Sequence, residues 1–156
     1  MIEIDNYILP LINVDLTKIL RNWIWLTGNK SIIALTKAGD AILKADDNSL
    51  YFLDIGLCEL SFISKDYHDF LDKKLSEDII DKLLLPSLID KLEHHNINLK
   101  TGQVYSYTLL PILGGVYDEK NRYAVDLYEH YSLMGEINFK LRDLPDGTNV
   151  QIQFEN

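Results

Sequence analysis

Residues 31–63 read SIIALTKAGDAILKADDNSLYFLDIGLCELSFI. Four segments of this stretch, 31–37, 40–46, 50–56 and 58–63, are rich in Ile, Leu, Phe and Tyr. The groups KAGD, DDNS and IGL between them carry turn chemistry. Links this short have no room for the crossover helix that parallel strands need, so the strands are expected to pair antiparallel as hairpins. Asp46, Asp47 and Asn48 suggest a calcium loop at first sight. Such a loop needs alternating oxygen ligands, a central glycine and a distal glutamate, which are missing, and a hairpin turn is the better reading.

The hairpins are flanked by helical patterns. Upstream, Leu16, Ile19, Leu20, Trp23 and Ile24 fall on one helical face, with Asp15 as N-cap and Gly28–Asn29 as the stop. Trp25 lies off that stripe and is expected to pack on the sheet. Downstream, residues 64–96 carry three apolar stripes, with Ser64 and Ser76 as N-caps and Pro86 in the first turn of the last helix. GQVYSYTLL (102–110) reads as a strand ended by Pro111. Tyr131, Met134, Ile137 and Leu141 mark a long final helix, opened by Asp126 and Glu129 in a capping-box arrangement. NVQIQF (149–154) alternates as a last strand. Hairpins followed by a run of helices predict an α+β fold, an antiparallel sheet with helices packed mainly on one face. One domain over residues 1–156 is expected, with 1–28 a helical lead-in and 29–156 the main body.

The 156-residue chain has a net charge of -9 and a pI of about 4.8. Such a chain is repelled by nucleic acid and anionic membranes and drawn toward basic partners. The acidic N-terminus, broken by Pro10, does not read as a signal peptide, and the lone Cys58 permits no internal disulfide. Both point to a cytoplasmic protein. Cys58 sits in an apolar strand pattern and reads as core filler.

The segment GGVYDEKNRYAVDLYEHY (114–131) concentrates polar and aromatic chemistry. A phosphate loop would need further glycines, a basic residue and a helix directly behind, whereas Asp118 and Glu119 follow here. Paired glycines more often serve a tight turn. Asp126 and His130 are spaced i, i+4, but two ligands are too few for a transition-metal site. No nucleophile–histidine pattern, HExxH or GxSxG occurs. No cofactor, metal or catalytic residue is therefore assigned. A tyrosine- and arginine-bearing loop with scattered charges has the chemistry of a protein-binding surface, although the tyrosines could equally cap the core.

Taken together, Gly39-Asp40, Leu53-Asp54, Gly102-Gln103, Tyr105, Tyr107, Pro111, Leu113-Gly114-Gly115, Asn121, His130 and Ser132 carry a resemblance. The pattern resembles the C-terminal domain family of type VI secretion immunity proteins, the partners of DNase effectors, over roughly residues 23–154. Thr101 stands where the family usually has proline, and Asn48-Ser49 replaces a hairpin glycine. Family members often carry a longer N-terminal module, where this sequence shows a short helical lead-in. The resemblance implies a non-enzymatic inhibitor that binds a cognate toxin, expected to be a basic nuclease, in a tight stoichiometric complex. The candidate contacts are Tyr117, Asp118, Glu119, Arg122 and Tyr123, with Asp46 and Asp47 as a second acidic edge. Two other classes stay open: a small enzyme with a cleft near Asp126 and His130, and an adaptor protein of a secretion apparatus.

Overall fold

A computed structural model describes residues 3–73, 76–151 and 153. Strands β1 (Ser31–Leu35), β2 (Ala41–Lys44), β3 (Leu50–Asp54) and β4 (Glu59–Ser64) form one antiparallel sheet in sequence order. Each is joined to the next by a short turn, as the sequence predicts. A second, two-stranded antiparallel sheet pairs β5 (Gln103–Tyr107) with β6 (Arg122–Asp126). The helices are α1 (Leu16–Leu20), α2 (Ile24–Thr27), α3 (Tyr67–Lys73), α4 (Glu77–Leu84), α5 (Pro86–His94) and α6 (Leu127–Leu141). The class is α+β.

Alternation along the strands sends neighbouring side chains to opposite faces. Ala41, Leu43 and Leu53 join Ile19, Trp23, Tyr131 and Met134 in one core, beneath α1 and α6. Ile42 and Phe52 join Leu83 and Leu84 of α4 in another. The helices therefore divide between the two faces of the sheet rather than gathering mainly on one. A register shift between Ile32 and Ala34 inserts one extra residue into β1. It leaves Ile32 and Leu35 together in the first core and turns Ile33 and Ala34 to the second. Tyr105, Ile89 and Leu92 make a third cluster, which seats α5 beside the second sheet.

Several local expectations are corrected. The first helix does not run unbroken, because residues 21–23 tighten into a 3-10 turn between α1 and α2. That turn brings Trp23, fully buried, into position to donate from Nε1 to the Tyr131 carbonyl at 2.8 Å. Trp25 packs against the core that the sheet shares and stands edge-on to Phe139 of α6, with ring centroids 5.7 Å apart. The cap of α3 is Asp66, whose carboxylate accepts from the Asp69 N–H at 2.7 Å, whereas Ser64 ends β4. At Ser76 the side chain makes no capping bond, while Asp126 caps α6 as expected by accepting from the Glu129 N–H at 3.0 Å. The predicted C-terminal strand is absent at residues 149–151 and 153, and Ile152 and Phe154 lie outside the described residues. The strand the sequence reading missed is β6, hidden directly in front of the cap of α6.

Candidate functional site

The two sheets meet at the turn Thr36–Asp40. The Tyr105 N–H donates to the Lys37 carbonyl at 2.9 Å, which docks β5 beside this turn. Gly39 has φ +91 and lies against the His130 ring, where a Cβ would stand 2.6 Å from Nε2. Glycine is required here by both backbone and space. His130 is 1% exposed. Its Nε2 pairs with the Gly39 carbonyl at 2.8 Å and its Nδ1 with the Ser106 hydroxyl at 2.8 Å. Burial lowers its pKa from 6.5 to about 4, opposed by the bond to Gly39 and helped by the nearby Arg122 cation.

Arg122 is 4% exposed and points inward from β6. One guanidinium nitrogen donates to the Ala38 carbonyl at 2.9 Å and the other to the Tyr107 hydroxyl at 2.7 Å. The guanidinium carbon lies 3.7 Å from the centroid of the Tyr107 ring. Asp40, also buried, accepts from the Ile55 N–H at 2.9 Å. Burial first, then repulsion from Asp54, raises the Asp40 pKa from 3.8 to about 7, against the Ile55 hydrogen bond and the Arg122 charge. These groups form a polar interior that clamps β3, β5, β6 and α6 together.

Asn121 acts in the same way nearer the surface. Its carboxamide accepts from the Leu109 N–H at 2.8 Å and donates to the carbonyls of Leu109 and Val116 at 2.6 and 2.7 Å. The Gly115 N–H donates to the Leu110 carbonyl at 3.0 Å. A Cβ on Gly115 would overlap the Leu109 carbonyl and come within 2.8 Å of the Asn121 amide nitrogen. The paired glycines thus close a tight loop. Many of the residues that carry the family resemblance are, in this structure, the ones that hold its loops.

The predicted contact residues separate accordingly. Tyr117 is 49% exposed, and with Asp118 and Glu119 it borders a shallow cleft against Pro86 and Lys91 of α5. Asp118 accepts from the Lys120 N–H at 3.0 Å and caps a 3-10 turn. Tyr123 is exposed on β6. Arg122, by contrast, is interior and is not available as a surface contact: the alternation of β6 turns it away from Tyr123. Asp46 and Asp47 sit in the β2–β3 turn. That turn is at the opposite end of the four-stranded sheet from Thr36–Asp40 and from the β3–β4 turn, so they do not extend the Tyr117 surface.

The structure does not bring Asp126 and His130 together in a cleft. Asp126 is exposed at the α6 N-terminus and borders a groove with Lys100 and Tyr128, while both His130 nitrogens are engaged in the interior. Among the described residues no three His, Cys, Asp or Glu side chains are grouped to hold a metal ion, and no described helix is long and apolar enough to cross a membrane. The sequence reading missed the exposed apolar chains Leu57, Ile112 and Val116. Nothing in a sequence distinguishes an apolar loop residue that folds inward from one that stays outside.

No curated protein matches this chain at a significant level. Among solved structures, the crystal structure of Atu4351 from Agrobacterium tumefaciens is similar with a TM-score of 0.48 and 18% identity. That similarity covers 69% of this chain and 54% of the other, so the chain spans about half the length of that relative. A family model described as T6SS immunity protein Tdi1, C-terminal, matches residues 64–138, from the end of β4 through most of α6. The match supports a type VI secretion immunity protein. Over that segment, just under half of its length, the chain carries the C-terminal domain signature of the type VI immunity protein Tdi1, as the resemblance in its sequence implies.

Proposed function

We propose that this chain acts as one immunity-type domain that neutralises a cognate secreted effector by binding it in a tight one-to-one complex. The observation that carries the reading is the family match over residues 64–138, which contains β5, β6 and the loop between them. The net charge of -9 favours a basic partner, and a nuclease is the effector class whose working surface must attract a polyanion. Carboxylates of the inhibitor would occupy that surface in place of phosphates, with Arg–carboxylate pairs giving directional contacts. The encounter would take place in the cytoplasm of the protected cell. Tyr117, Asp118, Glu119 and Tyr123 remain the candidate contacts.

The inhibitor reading needs no catalytic group, and His130, which the enzyme alternative would use with Asp126, is buried and hydrogen-bonded on both nitrogens. The test is co-expression with the toxin encoded in the neighbouring reading frame. Cells carrying both genes should grow, their DNA should remain intact, and the two proteins should purify as a one-to-one complex. Growth arrest despite full expression of this chain would defeat the proposal. Protection against a toxin that leaves DNA untouched would defeat only the nuclease assignment.

A further inference from the structure

Among the described residues, the large apolar side chains left exposed are not spread evenly. Six of the fourteen lie on two segments: Leu57 on the β3–β4 turn, and Leu109, Ile112, Val116, Tyr117 and Tyr123 between β5 and the middle of β6. Single exposed apolar residues need no explanation, but a cluster does. The two segments are joined, because the Ile112 N–H donates to the Gly56 carbonyl at 3.3 Å. They also share an electrostatic environment. Asp54 and Glu59 bracket the turn that carries Leu57, and Asp118 and Glu119 directly follow Tyr117. Apolar side chains with an acidic rim therefore occupy one end of the molecule.

The backbone beneath them is already ordered. Asn121 holds Leu109 and Val116 by three hydrogen bonds, and Asp54 accepts from the Leu57 N–H at 2.9 Å. A surface organised before binding loses little further conformational freedom when it docks. One turn at the opposite end differs in the feature that matters. The β2–β3 turn is acidic at Asp46 and Asp47 but exposes no large apolar side chain. Charge without an apolar centre steers an encounter and contributes little to holding the complex.

We propose that the cognate effector docks on the Asp54–Glu59 turn and the 109–123 segment, through a basic surface with an apolar centre, and that Tyr117 is an anchor of the contact. The proposal rests on the immunity reading above. A second copy of this chain fits poorly as the occupant, because two such acidic rims would repel each other. The experiment uses the full chain and the effector from the neighbouring reading frame, with affinity and both rate constants measured at two salt concentrations. Tyr117→Ala should weaken binding roughly tenfold or more, mainly through faster dissociation. Glu59→Lys should slow association on the order of tenfold at low salt, and less at high salt. Asp46→Lys should leave the dissociation rate and the high-salt affinity as in the unsubstituted chain, and circular dichroism should show all three variants folded. Unchanged binding by folded Tyr117→Ala and Glu59→Lys, or a loss confined to Asp46→Lys, would place the contact elsewhere. If the unsubstituted chain binds no effector, the immunity reading fails and the surface fails with it. Self-association that Tyr117→Ala abolishes would make a second copy the occupant and overturn the assignment.

Discussion

The two ends of the four-stranded sheet are built by different means. At one end the β2–β3 turn closes on itself. The Ala45 N–H donates to the Ser49 carbonyl at 2.9 Å, Asn48 adopts φ 72, and the Asp47 carboxylate accepts from the Ser49 N–H and hydroxyl. All these partners lie within five residues. At the other end, turns 36–40 and 55–58 are held by groups far away in the chain: His130 reaches Gly39, Arg122 reaches Ala38, and Ile112 reaches Gly56. A locally closed turn can change without disturbing the rest. A turn held by distant elements can present a rigid surface, but it loses that surface when any one clamp fails.

The comparison breaks most severely at Gly115. Gly115→Ala forces a methyl group into the Leu109 carbonyl and the Asn121 side-chain amide, which are held by a hydrogen bond to each other. The expected loss is about 3–5 kcal/mol in chemical denaturation, in the range of severe packing lesions. A loss below about 1 kcal/mol would mean that the loop yields easily and is not the rigid element described. His130→Ala comes next. It strands the Ser106 hydroxyl and the Gly39 carbonyl and opens a cavity, for an expected loss of about 3 kcal/mol in the same measurement.

A pH experiment sharpens the comparison with a smaller effect. Folding raises the Asp40 pKa from 3.8 to about 7, so the folded state keeps a proton that the unfolded chain releases. The contribution of Asp40 is complete below about pH 4 and is lost as pH rises toward 7. Folding lowers the His130 pKa from 6.5 to about 4, so its contribution is complete above about pH 6.5 and is lost as pH falls toward 4. The two slopes oppose each other over the same window. Asp40→Asn should uncover the His130 slope, with stability rising with pH between about 4 and 6.5 by up to about 1.4 kcal/mol per pH unit. His130→Gln should uncover the opposite slope. Urea midpoints for both variants at about pH 4.5 and about pH 6.5 check the signs, and equal midpoints would show that the two groups are not buried as described. The smallest effect belongs to the other end. Asp47→Asn keeps an acceptor for Ser49 on an exposed turn, and its unfolding midpoint should match that of the unsubstituted chain.

The hairpins were legible because strand and turn chemistry are local. Alternating β-formers and polar turn residues specify β1 to β4 within a few residues of each other, and the Asp126 cap marks the start of α6 in the same way. The interruption of the first helix was not legible, since residues 21–23 wind as a 3-10 turn where Trp23 meets the Tyr131 carbonyl of a helix distant in the chain. Arg122 and Tyr123 make the same point about the site. Both were expected at the surface, and both are polar or amphipathic residues in one short segment. Because that segment is a strand, successive side chains leave on opposite faces, so one became an interior clamp and the other stayed outside.

Residue identity and near-neighbour spacing were enough for the α+β class, the antiparallel hairpins, the acidic charge and the resemblance to type VI immunity proteins. Three further features required the folded chain: helices cover both faces of the sheet, Asp46 and Asp47 stand apart from Tyr117, and Gly39, Asp40, Arg122 and His130 share one interior. Those outcomes depend on which distant groups satisfy one another once water is excluded. A buried polar group must find a partner wherever the fold offers one, and its position in the chain does not say where that is.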